Sequence, residues 1–238
     1  MIWRGVETVP GAPEAIKRLR SIDVPLAFVT NSALRTPAQV ADKLAFHGIP
    51  DAEPLVITAA MAAAAMVEPG ERVLAVGSDG VHHALRDRGA IVVTDGPADA
   101  VVVGITTDFD YHTLTTAMRA IRAGARFIAT NDDSTFPDAD GLLPGNGALV
   151  AAVATCAETE PEIAGKPHAP IAAFVRERMG DVGVMVGDRP ETDGLFAESV
   201  GYDFALVFSG VVAREDLPVT PTPRFVADDL LELVEELT

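Results

Sequence analysis

The sequence has a single cysteine, Cys156, so no internal disulfide can form and burial and hydrogen bonding must hold the fold. That fits a reducing cytoplasm. No apolar run reaches the roughly 18 residues that a membrane-spanning helix needs, so no membrane partner is expected. The first residues also lack the basic flank, apolar stretch and small-residue cleavage site of a secretory leader. Basic residues are scarce: 18 Lys and Arg stand against 35 Asp and Glu, a formal charge of −17. With no basic stripe along the chain, a nucleic-acid partner is not expected. An acidic protein that binds a small phosphate needs a local cation or a metal to offset its own field.

What is present is enough apolar residue to bury a core. Of 238 residues 48% are hydrophobic and 22% charged, which suits one large globular domain or two modest ones. Residues 1–11 read as an extended or turn segment ending in Pro10-Gly11, and Ala15, Ile16 and Leu19 give residues 12–21 helical spacing. The apolar run 25–30 reads as a buried strand closed by Thr30-Asn31-Ser32. Pro37 opens a helix through His47, and a short strand at 55–58 leads into an alanine-rich helix at 59–67. Alternating strands and helices favour a parallel sheet.

Pro69-Gly70 marks a boundary, and a second rhythm follows it: strand 72–77, helix 81–88, strands 90–94 and 100–104, helix 111–122, strand 126–130 and helix 146–157. The polar segment 131–145, rich in Asp, Gly and Pro, reads as a long loop, and such loops tend to be functional. From Glu162 the first rhythm returns with a short strand, Gly165-Lys166-Pro167, a helix at 170–179, a strand ending at Gly187, a helix into Ser199, a strand at 203–208 and a helix at 227–237. Residues 218–223 read as a linker.

Strand ends carry the candidate chemistry, because ligands of open parallel sheets bind beyond the carboxyl ends of strands. Thr30 and Asn31 offer a hydroxyl and an amide, Lys166 a cation, and Asp188 and Asp193 two carboxylates. Together they could hold a phosphate and a magnesium ion, with Asp188 as a hard oxygen ligand. Each has a plainer reading as well: a helix N-terminal acidic pair for Asp188 and Asp193, a surface lysine for Lys166, a turn cap for Thr30-Asn31. His82-His83 reads as ordinary surface histidine, since adjacent helical residues diverge and no third ligand has suitable spacing. Gly77-Ser-Asp-Gly80 is too short for a dinucleotide fingerprint.

Several motifs in order give a specific resemblance. Phe28-Val-Thr-Asn-Ser32, Gly165-Lys-Pro167 and Gly187-Asp-Arg-Pro-Glu-Thr-Asp193 resemble the second, third and fourth motifs of haloacid dehalogenase-superfamily phosphatases. Trp3-Arg-Gly5, Val9-Pro-Gly-Ala12, Ala129-Thr-Asn-Asp132 and Pro144-Gly-Asn-Gly-Ala148 are similar to the subfamily with a large cap, class IIA, which includes phosphatases of phosphoglycolate, glycerol phosphate and nucleoside monophosphates. The resemblance implies an α/β fold, with a Rossmann-like parallel-sheet core from residues 1–66 and 164–238 and an inserted α/β cap from 67–163. It implies magnesium-dependent hydrolysis of a small phosphorylated metabolite through an aspartyl-phosphate. Thr30 and Lys166 would bind the phosphoryl group, Asp188 would ligate magnesium, Asp193 would orient that shell, and Asn31, Asn131 and Asp132 would lie on the substrate side. A homodimer is among the assemblies such caps form.

In that family the nucleophile and the acid that protonates the leaving group belong to an N-terminal Asp-x-Asp-Gly motif, and Met1-Ile-Trp-Arg-Gly5 aligns from the residue after its glycine. The chain therefore lacks that motif and is expected to be inactive as written. Two accounts fit: a start assigned at a GTG valine codon, which is the favoured one, or a pseudo-phosphatase that keeps phosphate binding without catalysis. The strands at Phe28 and Val186 would then lack the neighbour between them, leaving backbone groups unpaired.

Overall fold

Short runs rich in Val, Ile and Ala form most of the parallel strands, and segments with alanine-rich or amphipathic spacing form the helices. The computed structural model describes residues 1–138 and 141–238. In chain order, the hairpin of β1 (Trp3–Arg4) and β2 (Glu7–Thr8) precedes α1 (Ala12–Ser21), β3 (Phe28–Thr30), α2 (Pro37–Phe46), β4 (Val56–Thr58) and α3 (Ala59–Ala65). Next come β5 (Arg72–Val76), α4 (Asp79–Asp87), β6 (Ile91–Val93), β7 (Ala100–Val103), α5 (Tyr111–Arg122) and β8 (Arg126–Ala129). A hairpin of β9 (Thr135–Asp138) and β10 (Gly141–Pro144) leads to α6 (Asn146–Ala157), β11 (Glu162–Ile163) and α7 (Ala169–Met179). The last part holds β12 (Val184–Gly187), a π-helical turn at Pro190–Gly194, α8 (Leu195–Val200), β13 (Asp203–Val207), β14 (Phe225–Ala227) and α9 (Leu230–Leu237).

The chain folds as two compact units, the first of Met1–Phe28, Ala41–Val56 and Lys166–Thr238, the second of Val29–Val40 and Ile57–Gly165. The sequence reading placed its boundaries at 66/67 and 163/164, and residues 29–40 group with the second unit for a local reason. Gly80 donates its N–H to the Leu34 carbonyl, and a Cβ on Gly80 would lie 2.4 Å from the Ala33 carbonyl oxygen, so that loop and the start of α4 are in backbone contact.

The first unit is built on the parallel sheet β12-β13-β14. β13 has a ladder partner on each side, and its residues Phe204 to Val207 are buried, alternate side chains going to opposite faces. Ala205 and Val207 pack with Ala227 and Leu233 on one face, and Phe204 and Leu206 pack with Ala197 on the other. β12 differs: among the described residues it pairs only with β13, and Val184 is 41% exposed. α1 packs against α9, where Gly11 (φ 77°) leaves space that a Cβ would take from Leu231 at 2.9 Å.

The second unit holds an all-parallel five-stranded sheet in the order β11-β8-β7-β5-β6. All four residues of β7 are 0% exposed, as expected of a strand covered on both faces. Val101, Val103, Leu74 and Phe127 pack beneath Ala117 and Ile121 of α5 and Val150 and Val153 of α6. Alanines 59, 60, 62, 63 and 64 bury α3, whose small side chains let α4 come close. β3 and β4 make a separate two-stranded sheet.

Three elements differ from the sequence reading. Segment 131–145 contains the β9–β10 hairpin, which Pro137, Pro144 and the glycines concealed, because proline reads as a strand breaker away from an edge. β14 precedes the final helix, its three residues adding to β13 in parallel register. β11, read as part of the first rhythm, instead pairs with β8 at the edge of the second unit's sheet, with Glu162 opposite Ile128 and Ile163 opposite Ala129.

Candidate active site

In the first unit β12 ends at Gly187, Asp188 follows at once, and the π-helical turn brings Asp193 back beneath the strand end. Gly187 has to be glycine here, since a Cβ would lie 2.2 Å from that of Asp193. Asp193 is 7% exposed and so is Lys166, whose Nζ donates to Asp193 Oδ1 at 2.6 Å. Asp193 Oδ2 accepts the backbone N–H groups of Asp188 at 3.2 Å and Arg189 at 3.3 Å. A carboxylate so engaged fixes the backbone that presents Asp188 and holds the ammonium in place; Lys166 is a buried, paired cation and not a surface one. Removing either partner would strand a buried charge at a cost of about 3–5 kcal/mol.

Asp188 is half-buried, and its Oδ2 accepts the Val211 N–H at 3.0 Å. Gly210 passes directly beneath it: a Cβ there would fall 2.0 Å from Asp188 Oδ2. Among the described residues Asp188 Oδ1 accepts no hydrogen bond.

The other predicted residues lie in the second unit. The Thr30 hydroxyl oxygen accepts the Ser32 N–H at 3.1 Å, which leaves its O–H to donate elsewhere. Asn31 donates to both carboxylate oxygens of Asp133, at 3.4 and 3.3 Å, and its own carbonyl accepts from the amide of Asn131 at 2.8 Å. Asn131 Oδ1 accepts the Asp133 N–H at 3.2 Å, and Asp132 is exposed beside them. Asn31 and Asn131 thus tie the loops after β3 and β8 together. Gly165 closes against the same knot, a Cβ there falling 2.5 Å from the Thr130 carbonyl oxygen.

Sequence reasoning missed Asn146 as a structural centre. It is 2% exposed and donates to the carbonyls of Asn131 at 2.7 Å and Val103 at 3.2 Å and to Thr130 Oγ1 at 3.3 Å. Its place after Gly145 at the start of α6 was the available signal. The letters Asp-x-Asp-Gly do occur once, at Asp138 to Gly141, but far from the N-terminus, and Ala139 and Asp140 lie outside the described residues. His83 pairs with Asp87 at 3.1 Å on the surface, and the described residues contain no cluster of three or more metal-ligating side chains. A cavity of about 590 Å³ on the second unit is lined by Arg35, Ser78, Asp79, His82 and Thr106 among others. None of the predicted site residues lines it.

Parallel strands whose loops present a buried Lys–Asp pair and an adjacent aspartate agree with the α/β fold and motifs of the haloacid dehalogenase resemblance. Family models agree at both ends of the chain: haloacid dehalogenase-like hydrolase over residues 1–91 and HAD-hydrolase-like over 163–233. The chain is 37% identical over 240 residues to the 5'-nucleotidase YutF of Bacillus subtilis, covering 98% of this chain and 93% of that protein. It is 34% identical over 244 residues to an acid sugar phosphatase of Staphylococcus saprophyticus, covering 99% and 94%. Among solved structures, a glycerol phosphate phosphatase from Mycobacterium tuberculosis in complex with magnesium matches at TM-score 0.90 and 34% identity, over 98% of this chain and 73% of that one. A hypothetical protein from Pyrococcus horikoshii matches at 0.90 and 32%, over 100% and 96%. The chain belongs to the haloacid dehalogenase-like hydrolases, among the class IIA phosphatases. No helix among the described residues is long and apolar enough to cross a membrane.

Proposed function

We propose that this protein is a magnesium-dependent phosphomonoesterase for a small phosphorylated metabolite, with residues 1–66 and 164–238 as its core and 67–163 as its cap. The observation that carries the reading is the buried Lys166–Asp193 pair holding the backbone of Asp188. Lys166 supplies the fixed positive charge that an acidic protein needs to receive a phosphoryl group. Thr30 contributes a hydroxyl, and Asn31, Asn131 and Asp132 belong to the substrate side by resemblance. Cytoplasmic location and a homodimer stay part of the same proposal.

The donor chemistry at Asp188 fits magnesium. One carboxylate oxygen is held by Val211, the other accepts no hydrogen bond from described residues, and magnesium typically takes one or two carboxylates with waters and phosphate oxygens. When bound, the ion would neutralise charge on the phosphoryl oxygens. In the proposed reaction an aspartate attacks phosphorus, the bond from phosphorus to the ester oxygen breaks, a second aspartic acid protonates the departing oxygen, and water hydrolyses the acyl phosphate to restore the carboxylate.

Those two aspartates are absent from the N-terminal segment of these 238 residues. We assign them to a further strand ending in Asp-x-Asp-Gly beside β12, and the polypeptide without it should not turn over. The second reading, a phosphate-binding protein without catalysis, draws on the same absence. Phosphate release from a panel of small phosphomonoesters with magnesium tests the first reading on a form carrying such a strand. Release that falls about 100-fold or more in Asp188→Asn is expected, and no release from any ester would refute it.

A further inference from the structure

We infer that Arg4 is a positioning residue for Asp188, acting through the loop that follows β13. The inference rests on the reading of Asp188 as the magnesium ligand. Arg4 is exposed, yet its guanidinium is committed to backbone: Nε donates to the Ser209 carbonyl at 2.8 Å, and Nη2 donates to the carbonyls of Gly210 at 3.0 Å and, less closely, Phe208 at 3.4 Å. Among the described residues these three successive carbonyls at a strand end accept no backbone N–H. A planar cation with donors in a fixed fork can gather them, whereas a lysine ammonium is a point charge on a flexible stem.

The consequence reaches Asp188 in two short steps. Gly210, held by Arg4, lies beneath the Asp188 carboxylate with no room for a side chain, and the next residue, Val211, donates its N–H to Asp188 Oδ2 at 3.0 Å. Asp193 holds the Asp188 backbone through its N–H at 3.2 Å. Asp188 therefore has two supports, its backbone N–H held by Asp193 of the π-helical turn and its carboxylate held by the loop that Arg4 gathers.

The strand carrying Arg4 is itself fixed on its other face. Trp3 stacks on the His47 ring at 5.0 Å between centroids, Lys43 Nζ sits 4.3 Å from the Trp3 ring centre, and Thr8 Oγ1 lies 2.8 Å from His47 Nδ1. Neighbouring residues of a strand point to opposite faces, so Trp3 secures the hairpin while Arg4 reaches the loop. Outer groups of this kind usually change metal affinity by about 10- to 100-fold when removed.

Amide hydrogen exchange at Val211 and magnesium titration by calorimetry test the inference on the 238-residue chain, with Arg4→Ala, Arg4→Lys and Asp188→Asn compared to the parent. In Arg4→Ala we expect about tenfold faster exchange at Val211 and about tenfold weaker magnesium binding, with the thermal midpoint within about 2 °C of the parent. Arg4→Lys should recover only part of both. Unchanged Val211 protection in Arg4→Ala would overturn the inference whatever magnesium does. Parent and Asp188→Asn binding magnesium equally would instead refute Asp188 as the ligand, a separate failure, because the exchange measurement needs no metal.

Discussion

The two parallel sheets of this protein are built to the same rules and stand in different conditions. In the second unit β7 has ladder partners on both sides and no exposed residue, and the order β11-β8-β7-β5-β6 gives the sheet a covered centre and short strands at its edges. In the first unit the strand that delivers Asp188 pairs, among the described residues, with β13 alone, and its apolar Val184 is 41% exposed. A long apolar edge is what folded proteins ordinarily avoid. The difference lies in pairing: among the described residues the strand leading to Asp188 has one ladder partner where β7 has two, although Lys166 and Asp193 beside it are buried.

Substitutions can break that comparison, and the largest effect belongs to the complete sheet. Val102→Lys places an unpaired ammonium in the middle of β7 at a cost of several kcal/mol, and loss of cooperative unfolding by circular dichroism is the expected result. Next is Lys166→Ala, which strands the Asp193 carboxylate and should lower stability by about 3–5 kcal/mol in urea titration. A loss under about 1 kcal/mol would mean that water reaches the pair and that its burial is overstated.

The same lysine at the edge should be nearly silent. Val184→Lys is expected to change stability by no more than about 0.5 kcal/mol and to reduce self-association seen by light scattering, since an edge charge blocks strand addition. A cost like that of Val102→Lys would show that β12 is already covered.

The smallest effect concerns pH. Burial first, and Lys43 second, hold the His47 imidazole below its ordinary pKa, so the folded state favours the neutral ring. Because the folded value is depressed, this contribution is complete above about pH 6.5, the ordinary histidine pKa, and is lost as pH falls through the lower folded value. Emission of Trp3, the sole tryptophan, should report it, and His47→Gln should remove the acid step. An unchanged step in that variant would assign the transition to another group.

Much of this was legible in the sequence because local rules and tertiary packing agree. Helices α1, α5 and α6 fall where spacing and Pro or Gly punctuation put them, and Val184 to Gly187 reads directly as a strand leading to an acidic loop. β14 and the β9–β10 hairpin were hidden because three or four residues carry too little periodicity, and because proline and glycine signal loops there. At the site, residue types were readable and partnerships were not. Nothing local says that Lys166 pairs with Asp193 27 residues later, or that Arg4 reaches a loop more than 200 residues away. Such pairings come from crossover topology. Asn31 could be read as ligand or as loop support, and its bonds to Asp133 and Asn131 give it a structural task whatever else it touches.

The central proposal is that the attacking aspartate stands on a further strand beside β12. Its most direct test is magnesium-dependent phosphate release by two purified forms, the 238-residue chain and the same chain preceded by a strand ending in Asp-x-Asp-Gly. The account predicts turnover by the extended form alone; equal, robust turnover by both would contradict it.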